Sequence, residues 1–218
     1  MIKVLAFDFD GTLVDSNPIK EACFHLAVAD QEGGAAALAA ARALGGDRYR
    51  IYAEAARRLR PGAADAEIAD LARLLVGRYG VCCETRIRRC PDRHGARAAL
   101  VALKRLGVKL WLNSATPDRD LDEIIRRRGW RGLFDGLLGS SRSKADNLRL
   151  VMAFERVAPD EILMVGDSAD DVAGAREVGC RVVVITAENR VPARGPFAMS
   201  HLSALPPLVA RLRARPVR

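Results

Sequence analysis

The chain has 218 residues, 50% of them hydrophobic and 28% charged, a balance that supports a sizeable buried core and excludes an intrinsically disordered chain. No apolar run reaches the roughly 18 residues of a membrane-spanning helix. The net charge of +8 raises the question of nucleic acid, but aromatics are only 5% of the chain, too few for base-stacking platforms.

The first element expected is a strand over residues 2–7, a short apolar run that ends at Asp8. Because an acid interrupts it so early, it does not resemble a secretory signal, and a cytoplasmic protein is expected. The interval 17–88 contains helical periodicity (35–43, 51–59, 66–79) broken at Gly33-Gly34, Gly45-Gly46 and Pro61-Gly62, with no convincing strand. It is expected to form an all-helical insertion, with 1–16 and 89–218 forming the main domain.

From there strands and helices alternate. Apolar runs at 108–112, 162–165 and 181–185 are the expected strands, and 97–106, 120–128, 148–157 and 170–178 the expected helices, with a last amphipathic helix over 208–213. Gly107, Gly129 and Gly179 follow helical patterns where a C-cap glycine belongs. The fold class is therefore α/β, a Rossmann-like parallel sheet carrying an inserted helical domain. The arginines lie along helical stretches such as 56–60 and 124–131, as on solvated faces, which leaves a general attraction for anions rather than a nucleic-acid groove. The five cysteines (Cys23, Cys82, Cys83, Cys90, Cys180) are an odd number without metal-ligand spacing and are expected to be reduced thiols.

Polar residues fall just after the strands. Asp8 and Asp10 follow the first, Asn113-Ser114 the second, and Gly166-Asp167-Ser168 the third, so a parallel sheet delivers all of them to one edge. Carboxylates gathered there repel one another unless a cation intervenes, and hard oxygen donors without histidine or thiolate favour Mg²⁺. Lys144, in the turn-rich segment SSRSKADN, can neutralise both a carboxylate and a bound phosphate. Gly11 and the Thr12 hydroxyl suit a tight loop whose amide groups face an anion.

In their order, DFDGTLVDS (8–16), Ser114, Lys144 and GDSADD (166–171) resemble the four motifs of the haloacid dehalogenase-like superfamily, and the helical insertion is similar to the type-1 cap of its phosphoglycolate phosphatase and β-phosphoglucomutase group. The resemblance implies a phosphoric monoester hydrolase in which Asp8 is the nucleophile and forms an aspartyl-phosphate. It implies that Asp10 is the acid and base, and that Ser114 and Lys144 bind the phosphoryl group. It implies further that Asp8, the backbone carbonyl of Asp10, Asp167 and Asp171 hold Mg²⁺, with Asp170 a rival to Asp171. Asn113 and Thr116 are alternative donors to substrate. In the insertion, Gly46-Asp47-Arg48 resembles a specificity loop, which makes Arg48 a substrate candidate.

The implied partner is a small phosphorylated metabolite such as a sugar phosphate, with no membrane, and the chain is expected as a monomer or homodimer. Three alternatives stand beside the phosphatase. A halide-removing enzyme of the same superfamily is opposed by Asp10 and the magnesium set, since that chemistry needs no metal. A phosphomutase shares every motif and differs in whether a second substrate hydroxyl outcompetes water. A non-catalytic basic module associated with nucleic acid is opposed by the completeness of the motifs.

Overall fold

The structure, a computed structural model, describes residues 1–186 and 197–214. In chain order the principal elements are β1 (Val4–Phe7), α1 (Asn17–Ala27), α2 (Gly34–Ala43), α3 (Arg48–Leu59), α4 (Asp65–Ile87), α5 (Ala96–Arg105), β2 (Lys109–Asn113), α6 (Asp118–Arg127), β3 (Gly136–Leu138), α7 (Lys144–Glu155), β4 (Ile162–Gly166), α8 (Ala169–Val178), β5 (Arg181–Ile185), β6 (Ala198–Met199) and α9 (Leu205–Ala214). Two compact units result, one of Met1–Asp15 with Pro91–Arg218 and the other of Ser16–Cys90. The expected insertion at 17–88 lies within the second.

In the first unit the strands pair in parallel in the order β3-β2-β1-β4-β5-β6. A parallel pair needs a crossover, and the helices between strands supply it. The order runs outward from β1 to β2 and β3, then reverses to place β4 on the other side of β1. This reversal opens a crevice at the carboxyl ends of β1 and β4, where α/β sheets bind ligands. Phe7 lies level with Leu112 of β2 and Val165 of β4, so Asp8, Asn113 and Gly166 leave the sheet side by side.

Every residue of β1 and β4 is buried, as expected of strands covered on both faces. On one face Val4 and Ala6 pack with Trp111, Ile162, Met164 and Val182 against Leu148 and Val151 of α7 and Ala175 of α8. Their neighbours Leu5 and Phe7 point to the opposite face by the two-residue period of a strand. Helix α5 packs against β2 and α9. Gly107, Gly129 and Gly179 occupy the left-handed region after α5, α6 and α8, with φ of 72°, 66° and 83°.

Two strands were not expected from sequence. β3 is three residues long and begins at a glycine, because a Cβ on Gly136 would lie 2.2 Å from the ring of Trp111. β6 has two residues, paired with β5 at the edge of the sheet.

The second unit is built on α1 to α4. Ala27, Leu38, Ala41, Ile51, Tyr52, Ala55, Leu75 and Tyr79 form its core, and Phe24 contacts the Tyr52 and Tyr79 rings with centroids 5.5 and 4.6 Å away. The expectation of five reduced thiols is corrected here: Cys23 of α1 and Cys82 of α4 form a disulfide, with their Cα atoms 5.7 Å apart. The two helices pack on one another, which brings together residues 59 positions apart, a proximity that no local spacing rule detects. Cys83, Cys90 and Cys180 remain thiols.

Candidate active site

The site begins at the tip of β1. The Asp8 amide donates to the Val165 carbonyl at 2.8 Å, so the sheet ladder reaches the residue that leaves it. The chain then turns tightly. Gly11 takes a φ of 82°, and the amides of Leu13 and Val14 both donate to the Phe9 carbonyl, at 2.9 and 3.2 Å. The Arg93 guanidinium pins this loop from below by donating to the carbonyls of Gly11 and Thr186. Thr12 is fully buried, and its hydroxyl lies 3.4 Å from Asp8 Oδ2 and 3.5 Å from Asp167 Oδ1, bridging the tips of β1 and β4.

Asp8, Asp167 and Asp171 each present a carboxylate oxygen within 4.8 Å of the others. Asp171 is 1% exposed and its neighbour Asp170 is exposed, so the inward-pointing member of that pair is Asp171. The start of α8 aims it. Ser168 caps the helix, and Asp171 Oδ2 accepts from the Ser168 amide at 3.0 Å and from its hydroxyl at 2.6 Å. This reciprocal capping box satisfies donors that the first turn would leave unpaired.

The Lys144 ammonium is held in the same cluster. It lies 2.6 Å from Asp8 Oδ1, 2.8 Å from Asp171 Oδ1 and 2.6 Å from the Asn113 carbonyl. Lys144 is the first residue of α7 rather than part of a turn-rich segment, with Ser143 as N-cap accepting from the Asp146 amide at 3.1 Å. Two glycines make the approach possible. A Cβ on Gly166 would stand 2.2 Å from Asp171 Cγ, and one on Gly174 would stand 2.9 Å from Lys144 Cβ.

The Asp8 carboxyl is pushed up to about 7, by burial above all and by the carboxylates of Asp171 and Asp167, against the opposing pull of Lys144. Burial opposes the charge on Lys144, but Asp8 and Asp171 outweigh it and hold the ammonium above the ordinary lysine range. Three carboxylates thus face one ammonium, an excess of negative charge that a hard divalent cation would relieve. An all-oxygen donor set of this size fits Mg²⁺ better than a softer metal.

The tip of β2 contributes a second group. Ser114 is 2% exposed, and its hydroxyl accepts from the Thr116 amide at 3.1 Å. The Thr116 hydroxyl donates to Asp10 Oδ2 at 3.2 Å. Asn113 is different from its neighbours. Its side-chain amide is engaged within the frame, Nδ2 on the Lys144 carbonyl and Oδ1 on Asn147, each at 3.0 Å. Asn113 therefore braces Lys144 and does not offer its amide to a ligand, which corrects its expected place as a substrate donor. Arg48 belongs to the other unit. It is exposed at the start of α3, stacked over the Tyr49 ring at 5.0 Å, with Asp47 capping the helix.

The sequence places Gly166 at this edge with Asp167, but it does not mark Asn147, Arg93 or Gly174 as parts of the arrangement. Of these only Gly174 carried a signal, since a glycine interrupting a helical pattern marks close approach.

A parallel α/β sheet with acids and a buried lysine at its switch point defines the class as an enzyme acting at the carboxyl edge of the sheet. A family model described as haloacid dehalogenase-like hydrolase matches residues 2–179. The chain is 30% identical over 220 residues to a phosphoglycolate phosphatase of Cereibacter sphaeroides (strain ATCC 17029 / ATH 2.4.9), a match covering 96% of this chain and 99% of the relative. It is also 30% identical over 200 residues to a phosphoglycolate phosphatase of Vibrio vulnificus (strain YJ016), covering 82% of this chain and 81% of that one. Among solved structures, a haloacid dehalogenase-like family hydrolase from Streptococcus pneumoniae superposes with a TM-score of 0.69 at 19% identity, covering 97% of this chain and 98% of that chain. The chain belongs to the haloacid dehalogenase-like hydrolase family, as a phosphoric monoester hydrolase. Among the described residues no helix is long and apolar enough to cross a membrane.

Proposed function

We propose that the protein is a Mg²⁺-dependent phosphatase that hydrolyses a small phosphate monoester through a phosphoryl group carried on Asp8. The observation that supports this most directly is the Lys144 ammonium 2.6 Å from Asp8 Oδ1, in a cluster that also gathers Asp167 and Asp171. An ammonium there draws a phosphoryl group onto the carboxylate that attacks it and offsets the charge that builds up in transfer.

In the first step an Asp8 carboxylate oxygen attacks phosphorus and the ester bond breaks. Asp10 passes its proton to the departing alcohol oxygen. In the second step Asp10 takes a proton from water, which attacks the same phosphorus, releases inorganic phosphate and restores Asp8. Thr116, within hydrogen-bond reach of Asp10, holds the carboxyl that shuttles the proton. Ser114 and Lys144 bind the phosphoryl oxygens. Asp8, the Asp10 carbonyl, Asp167 and Asp171 would hold Mg²⁺. When bound, the ion neutralises the carboxylates and polarises the phosphoryl oxygens.

The relatives' names make phosphoglycolate the first compound to test in a panel that extends to sugar phosphates. Arg48 is a candidate for recognising the remainder of the substrate. The experiment is phosphate release across that panel by the wild-type chain and by Asp8→Asn, with and without EDTA. Wild-type activity should disappear with EDTA and return with excess Mg²⁺. Asp8→Asn should lose at least about 10³-fold in kcat, since an amide cannot serve as the nucleophile. Unchanged release by Asp8→Asn, or activity that persists through chelation, would contradict this mechanism.

A further inference from the structure

Asn147 occupies the first turn of α7 and is 1% exposed. Its Nδ2 donates to Asn113 Oδ1 and to the Gly139 carbonyl, each at 3.0 Å. Those two acceptors settle the amide's orientation, because the flipped amide would set oxygen against oxygen at both. Asn147 Oδ1 is left buried without a hydrogen-bond partner among the described residues. A position selected for stability alone would avoid such an orphaned acceptor, because its desolvation is uncompensated.

The bonds continue past Asn113. With its Oδ1 occupied by Asn147, Asn113 turns Nδ2 toward the Lys144 carbonyl, while its own main-chain carbonyl accepts from the Lys144 ammonium. Asn113 thus grips Lys144 at both the main chain and the tip of the side chain. Without Asn147, the Asn113 amide is free to rotate and present Oδ1 to the Lys144 carbonyl, which repels it.

We infer that Asn147 is a positioning residue: through the Asn113 amide it fixes the start of α7 against the tip of β2 and so holds the Lys144 ammonium beside Asp8. It touches no reacting atom. What Lys144 does for the reaction rests on the phosphatase reading above, but the placement of its ammonium can be observed without any substrate.

Two readouts test this. In lysine-labelled protein, the Nζ–H resonance of Lys144, assigned by its loss in Lys144→Met, should be resolved in the wild-type chain because its burial, two hydrogen bonds and the ion pair with Asp171 slow its exchange with water. It should broaden beyond detection in Asn147→Leu and in the paired variant Asn113→Leu/Asn147→Leu. In steady-state kinetics Asn147→Leu should lose on the order of 10- to 100-fold in kcat, as displacement of a reacting group does, with KM changed less than about threefold. The paired variant removes both polar partners, so its Tm should recover toward wild type while kcat stays low. Should Asn147→Leu fail to fold, Asn147→Ser, too short to reach Asn113, carries the same expectations.

An unresolved resonance in the wild-type chain, a resonance unchanged in the variants, or a kcat that recovers together with Tm in the paired variant would each overturn the inference. Failure of the phosphatase reading looks different: the resonance behaves as expected while the wild-type chain releases no phosphate from any compound.

Discussion

A methyl group on Gly166 would sit 2.2 Å from the Asp171 carboxyl carbon and 2.3 Å from its Oδ2, so hydrogen is the only side chain this position accepts without moving an acid. Gly166→Ala is therefore expected to act on the carboxylate cluster first and on the fold second. Asp171 must swing out, which breaks its capping box with Ser168 and its pair with Lys144. The expected result is a Mg²⁺ requirement raised at least about tenfold in an activity titration, with a stability loss of about 1–3 kcal/mol in chemical denaturation. Normal Mg²⁺ dependence in a folded Gly166→Ala chain would count against Asp171 as part of the ion's site. At this scale the acids were legible and their supports were not. Asp8 and Asp167 stand out because a charged residue directly after a buried strand has nowhere to point but the sheet edge. Asn147 does not, because it closes the turn-rich run SSRSKADN, where an asparagine reads as an ordinary turn residue until α7 is seen to begin at Lys144.

Among the elements, β1, β2, β4 and β5 were readable as apolar runs, and the helices between them by their period. β3 was not, because Gly136 must clear the Trp111 ring, and a three-residue strand opening on a strand-averse residue leaves no pattern. The start of α7 was also missed. The expected helix began at Leu148, whereas Ser143 caps it just before Lys144, and it is this earlier start that makes Lys144 a helix residue with a fixed direction. In the helical unit, the tie between Cys23 and Cys82 could not be inferred from spacing, since it depends on how α1 lies on α4. In the chain-entropy view, a crosslink closing a loop of 59 positions stabilises the folded unit by about 4 kcal/mol. Thermal melts should show a midpoint several degrees lower in a strong thiol reductant, and Cys23→Ser/Cys82→Ser should melt at that lower temperature with or without it. Equal midpoints for the oxidised and reduced wild-type chain would show that the tie contributes nothing to stability.

For the molecule as a whole, the class of fold was legible because alternating apolar runs and helical periods leave few architectures open. The net charge of +8 is carried largely by exposed arginines, many of them already paired with acids on the same or neighbouring helices. It says little about a partner.

The central place of β1 has one more consequence, for the chain as it is made. The first strand leaves the ribosome long before either of its neighbours exists: β2 begins at Lys109 and β4 at Ile162. Ser16–Cys90, by contrast, is contiguous, and all four of its helices have been synthesised by then. Nascent chains halted with residue 100 outside the exit tunnel should resist protease within 16–90 while their leading segment is cut. Protection of that segment should arrive only once β4 has emerged. Asp8 is thus among the first residues translated and among the last to be given its surroundings.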